Sequence, residues 1–161
     1  EQVLFSDKDG DMAAAIRLWE NQILLGASLG LCKSAFETAR KHAKEHKSGG
    51  KPIIAYQQIG FKLAEMLTRY QTSQFLAWRT AWTMDTAPAD AEELMFCAKV
   101  FCTEAAEQIC SQAMQILGGG GYICGNKVER AYRCAKYGQI AGTSTERARV
   151  HIGDAALGYR N

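Results

Sequence analysis

MAAAIRLWENQILLGASLGLCKSAFETARKHAKEHK, residues 12–47, contains no proline and repeats its apolar residues at helical spacing. Ile16, Trp19, Ile23, Ala27, Gly30 and Ser34 fall on one stripe, which predicts a single long helix. Gly26, Ser28 and Gly30 lower intrinsic helix propensity, by about 1 kcal/mol per glycine. Small residues on a helix face also let a second backbone approach, so they point to close helix–helix packing.

Ser48-Gly-Gly-Lys-Pro52 places glycine and then proline after the run, a strong stop signal. A second helix is expected from near Ile54 to Asp85, with Ile59, Leu63, Ala64, Leu67, Tyr70, Gln71 and Gln74 as its seam and Trp78 and Trp82 beyond. Thr86-Ala-Pro88 breaks it. A third helix runs from about Ala89 to Leu117 on Met95, Ala98, Cys102, Ala105, Ile109 and Met114, and ends in four glycines, Gly118 to Gly121. An irregular stretch with a helical turn or two around residues 128–135 leads to a last helix. Thr143 is its expected N-cap, with Glu146 as capping-box partner. Helices of roughly 30 residues span about 45 Å. Three of them and a shorter one, joined by short turns, make an antiparallel four-helix bundle, all-α, with no strand pattern.

The chain has 161 residues, 47% of them hydrophobic, which suits one domain over residues 1–161 with residues 1–11 as a frayed leader. A net charge of +2 without a basic stripe argues against nucleic acid, and no apolar run of about 20 residues suggests a membrane span. The six cysteines form no CxxC pair, so reduced thiols packed as small hydrophobes in a cytosol-like compartment are expected, with no metal. A four-helix di-metal carboxylate protein fails for want of an ExxH pair.

Gln115-Ile-Leu-Gly-Gly-Gly-Gly-Tyr122, Val128-Glu-Arg-Ala-Tyr-Arg133 and Ala141-Gly-Thr-Ser144 follow one another here. In this order they resemble the QxLGGxGY turn, VER-x-x-RDAK segment and GTS element of the acyl-CoA dehydrogenase C-terminal domain. Glu45-His-Lys-Ser-Gly-Gly-Lys51 is similar to that family's ERxxFGK loop, and Gln57 with Leu63-Ala-Glu-Met66 to its Q-x(5)-LAEM helix. The resemblance covers nearly everything beyond residue 12. It implies two further domains, one helical and one β, that this sequence does not contain, with FAD lying between the β-domain and the bundle.

The resemblance also implies roles. Gln115, Gly118 and Gly119 would touch the adenosine-diphosphate half of a neighbouring subunit's FAD, against the plain alternative of a helix C-cap. Thr143, Ser144 and Thr145 at the N-terminus of the last helix would meet the flavin diphosphate and ribityl region, beside the plain role of N-capping, and both can hold at once. His46 stands where the family has an arginine that reaches a neighbour's FAD phosphates, and Gln57 belongs to the same cofactor surface. Many members carry the catalytic glutamate directly before GTS; Ala141 occupies that place here and cannot accept a proton. Isovaleryl- and long-chain-type members instead supply it from the first helix. The match of Leu29-Gly-Leu31 to their LGL, counted back ten residues from Gly30, lands on Glu20. Glu20 is then the expected base, pointing inward; the plain alternative is a surface glutamate. Ala141 would contribute its main-chain N–H to the thioester carbonyl, with Asn21 and Gly142 on the substrate side.

Departures stand at His46, Gly49, Asn21, Cys134 and Thr145. The function implied is α,β-dehydrogenation of acyl-CoA thioesters, with an electron-transfer-flavoprotein-like acceptor and a homo-oligomer, dimer or tetramer. The setting would be the bacterial cytoplasm or, in a eukaryote, the mitochondrial matrix. The alternative is a degenerate, non-catalytic bundle that serves oligomerisation.

Overall fold

The computed structural model describes residues 10–159. Its elements are α1 (Gly10–Glu45), β1 (Lys47–Ser48), β2 (Lys51–Pro52), α2 (Gln57–Thr86), α3 (Ala91–Leu117), α4 (Gly119–Tyr122), α5 (Lys127–Ile140) and α6 (Thr145–Ala156). The Cys32–Ala43 half of α1 packs on Leu63 and Met66 of α2 and on Ala106–Ile116 of α3. Leu25 packs on Ala77 of α2 and on Met95, Ala98 and Cys102 of α3. The chain therefore runs up α1, down α2 and up α3. It descends again along α5, whose Val128, Ala131 and Ala135 join the first of these clusters. This is the antiparallel four-helix bundle expected. The fourth position is filled by α5, longer than the turn or two expected. The last helix, α6, lies against the first half of α3, where His151 stacks on Phe96 at 4.5 Å. The frayed leader expected at residues 1–11 lies outside the described residues up to position 9; Gly10 is already helical.

The faces differ from the expected ones. On α1 the stripe of Ile16, Trp19 and Ile23 is exposed, and Asn21, Leu25, Ser28, Cys32, Ala35, Ala39 and Ala43 are buried. On α2, Ile59, Leu63 and Tyr70 of the expected seam join the core. Ala64, Leu67 and Gln71 are exposed, while Ser73, Ala77, Thr80 and Thr83 go inward. The reason is distance between axes. Small side chains let the helices close together, and the inward hydroxyls of Ser28, Thr80 and Thr83 cost little because each bonds its own helix, whereas the Ser73 hydroxyl is buried without a partner. Ser28 donates to the Leu24 carbonyl, Thr80 to Leu76 and Thr83 to Arg79. Met95 and Phe96 of α3 are both buried.

One short hairpin interrupts the all-helical expectation. β1 and β2 pair Lys47 with Pro52 and Ser48 with Lys51. Gly49 and Gly50 occupy its turn at φ 58° and 82°, which side chains other than glycine rarely adopt. Cys32, Cys102 and Cys110 are buried as small hydrophobes, whereas Cys124 and Cys134 are exposed; all are free thiols. Burial pushes the thiols of Cys32 and Cys110 up to about 12. No group of metal-ligating side chains and no helix long and apolar enough to cross a membrane occurs among the described residues.

Candidate active site

The turn between α5 and α6, Ala141 to Ser144, is held from two sides. On one side Asn21 of α1, fully buried, donates from Nδ2 to Thr143 Oγ1 at 3.2 Å and accepts the Thr143 N–H on Oδ1 at 3.3 Å. On the other, Lys99 of α3, also fully buried, donates from Nζ to the carbonyls of Gly138 and, at 2.9 Å, Ala141. Those carbonyls end α5 without helical partners, so a cation there satisfies them. Burial lowers the Lys99 pKa from 10.5 to about 8, and Glu20 opposes that shift.

Between the clamps Gly142 sits at φ 64°. A Cβ on it would lie 3.0 Å from Asn21 Oδ1, 3.1 Å from Leu24 Cδ1 and 3.3 Å from Glu20 Cδ. The Glu20 carboxylate thus lies directly on the turn. It is exposed in this chain rather than pointing into the bundle as expected, because it shares the outward face of α1. There it borders the exposed apolar face of α1 formed by Met12, Ala15, Ile16, Trp19 and Ile23. The Ala141 N–H is engaged: it donates to the Tyr137 carbonyl at 2.9 Å and closes α5. A thioester carbonyl bound there must share or displace that bond.

The cap of α6 is not Thr143 but Ser144, whose hydroxyl accepts the Arg147 N–H at 3.3 Å. Thr143 is buried by its bonds to Asn21, and Thr145 is buried with its hydroxyl donating to Glu146 at 3.3 Å.

The remaining expected residues gather at the opposite end of the bundle. Glu20 and His46 bracket most of α1, about 39 Å apart along its axis. His46 is exposed and stacks on His42 at 4.8 Å; burial and then His46 hold His42 below its ordinary pKa. Gln57 opens α2 and is exposed. Gln115 borders a groove of about 410 Å³ with Gln58, Lys62 and Gln112. Of the four glycines only Gly118 is left-handed, at φ 63°; Gly119 to Tyr122 continue as α4. Gly119 and Gly120 face open space, while a Cβ on Gly121 would meet Leu117 Cβ at 2.7 Å.

The family profile described as acyl-CoA dehydrogenase, C-terminal domain, matches residues 13–157. The chain belongs to the acyl-CoA dehydrogenase family. It is 39% identical over 118 residues to the caffeyl-CoA reductase–Etf complex subunit CarC of Acetobacterium woodii, covering 73% of this chain and 31% of that protein. It is 37% identical over 136 residues to the mouse mitochondrial short-chain specific acyl-CoA dehydrogenase, covering 83% of this chain and 32% of that enzyme. Among solved structures, butyryl-CoA dehydrogenase from Megasphaera elsdenii superposes with a TM-score of 0.89 at 26% identity, over 95% of this chain and 40% of that one. The chain thus spans about a third of the length of its acyl-CoA dehydrogenase relatives and corresponds to their C-terminal helical domain.

Sequence reasoning missed Lys99 altogether. Its signal was a charged residue on the buried stripe of α3, beside Ala98 and three residues before Cys102.

Proposed function

We propose that this chain is the base-bearing, C-terminal part of a flavoenzyme that removes hydrogen from Cα and Cβ of an acyl-CoA thioester. Glu20 acts as the base, in the isovaleryl- and long-chain-type position. The observation that carries this reading is the Glu20 carboxylate on the Gly142 turn, beside the exposed apolar face of α1. Two residues from different helices hold that turn in one geometry.

The residues present fit FAD as cofactor. Gly119 and Gly120 leave open space at the start of α4, with no side chain capping it, so a ligand can approach backbone N–H groups closely. Bound FAD supplies the acceptor for the Cβ hydride. The rest of the chemistry belongs to this chain: Glu20 takes the Cα proton, Trp19, Ile16 and Ile23 line the acyl side, and Thr143 and Thr145 border the flavin side. Asn21 is a positioning residue, since both ends of its amide are committed to Thr143. His46, Gln57, Gln115, Gly118 and Gly119, at the far end, serve the cofactor of a neighbouring subunit in a dimer or tetramer. An electron-transfer-flavoprotein-like protein is the acceptor, a reading supported by the likeness to a subunit of a reductase–Etf complex.

A second reading, a non-catalytic bundle, draws on Ala141: it has no carboxylate, and its N–H is engaged by Tyr137. One substitution separates the two. In the full-length enzyme, Glu20→Gln keeps the shape of the carboxylate and cannot accept a proton. It should lower dehydrogenation by roughly 10²–10⁴-fold while the yellow flavin absorption remains. Ala141→Glu in that background should restore part of the rate. Ordinary turnover by Glu20→Gln would move the base elsewhere, and no turnover by the unmodified enzyme with any acyl-CoA would favour the non-catalytic bundle.

A further inference from the structure

We propose that Lys99 is a positioning residue for the reaction: its buried ammonium ties the end of α5 to α3 and so sets where the Ala141–Thr143 turn presents itself to Glu20. The inference rests on the reading of Glu20 as base and deepens it.

Three observations support it. First, Lys99 is fully buried, which a lysine tolerates only when its charge is compensated. Second, its Nζ reaches two carbonyls, of Gly138 and Ala141, so it grips α5 both inside its last turn and just past its end. Gly138 is suited to this: it is buried, and a Cβ on it would lie 3.6 Å from Thr103 Cγ2 and 3.8 Å from Ser28 Oγ, in ordinary contact with α3 and α1. Third, the negative charge of Glu20 favours the Lys99 ammonium against the effect of burial.

The chain of contact is therefore continuous: α3 to Lys99, Lys99 to the Ala141 carbonyl, the next residue Gly142 to the Glu20 carboxylate, and Glu20 back to α1 beside Asn21. An apolar side chain at position 99 leaves two carbonyls orphaned and loosens the turn. An ammonium that only stabilised the fold would shift melting temperature and leave the kinetic constants of the folded fraction unchanged.

The test uses the full-length, FAD-loaded enzyme, with rates referred to bound flavin. Lys99→Met should lower kcat about tenfold or more with KM changed less than about threefold, because the lost contact orients the reacting groups rather than binding the thioester. Lys99→Arg, which keeps the charge and the donors, should recover a large part of kcat. Lys99→Gln repeats the comparison with one donor retained if the methionine protein does not accumulate. Unchanged kcat per flavin in any folded neutral variant would overturn the proposal, as would an arginine variant no faster than the methionine one. The Glu20 reading fails separately: Glu20→Gln with ordinary turnover sinks that reading whatever Lys99 does. An inactive Glu20→Gln beside a fully active Lys99→Met sinks only the role of Lys99.

Discussion

Lys99 and Asn21 are where individual residues decide most about this protein. Burial lowers the Lys99 pKa from 10.5 to about 8, so the folded chain holds that proton less tightly than the unfolded one. Between those values the unfolded state binds more protons, and stability rises with pH across that window. The penalty is fully present below pH 8 and amounts to roughly 3 kcal/mol. Urea unfolding of the unmodified domain compared with Lys99→Met should show the unmodified chain gaining by about that amount from pH 8 to 10.5. A difference that stays flat over that range would mean both states hold the proton equally. Lys99 could be seen in the sequence only as a charge out of pattern, because its partners are carbonyls some 40 residues away. Asn21 stood in the sequence only as a departure from the family pattern beside Glu20. Its work is to hold Thr143, a contact across 122 residues that no local spacing encodes.

At the scale of the element, punctuation was legible and its geometry was not. The stops at Gly49–Pro52, Pro88 and Gly118 lie at helix ends, because glycine and proline act through their own backbone dihedrals. How the four glycines divide depended on neighbours. Gly121 packs on Leu117 and Met114, whereas Gly119 faces open space. Gly121→Ala should therefore destabilise the domain by about 1–3 kcal/mol in thermal or urea unfolding. Gly119→Ala should leave stability within about 1 kcal/mol or raise it, so flavin lost from that variant reports ligand contact rather than folding. Equal destabilisation by both would remove the distinction between a structural and a ligand-facing glycine. The cap of α6 shifted by one residue from Thr143 to Ser144 for the same kind of reason: Asn21 had already engaged Thr143. Ser144→Ala should cost about 1 kcal/mol by the same measurement.

The whole molecule carries more large apolar surface than a lone bundle needs. Phe75, Trp78 and Trp82 are 73%, 59% and 66% exposed along one face of α2, and Trp19 is 67% exposed on α1. Such patches mark surfaces that other protein covers. The α1 patch borders Glu20, and the α2 patch is the face we expect a second subunit to cover. We expect the chain to self-associate at micromolar concentration in sedimentation velocity, and Trp78→Glu with Trp82→Glu to return it to monomer. A monomeric unmodified chain would leave the aromatic face without its expected cover.

What the sequence determined by itself was the helical periodicity, the breaks between helices, the up-and-down order and the family motifs, since all of these are carried by near neighbours along the chain. It also singled out Glu20 as a candidate base, through a resemblance and a fixed count along one helix, but not that its side chain is exposed beside the Gly142 turn. Which face of α1 and α2 turns inward was decided only by the tertiary structure. Periodicity finds a stripe of large apolar residues but not the narrower stripe of small ones, and close helix contact selected the small one. The clamp on the Ala141–Thr143 turn was likewise decided in three dimensions, because α1, α3 and α5 meet there from distant parts of the chain.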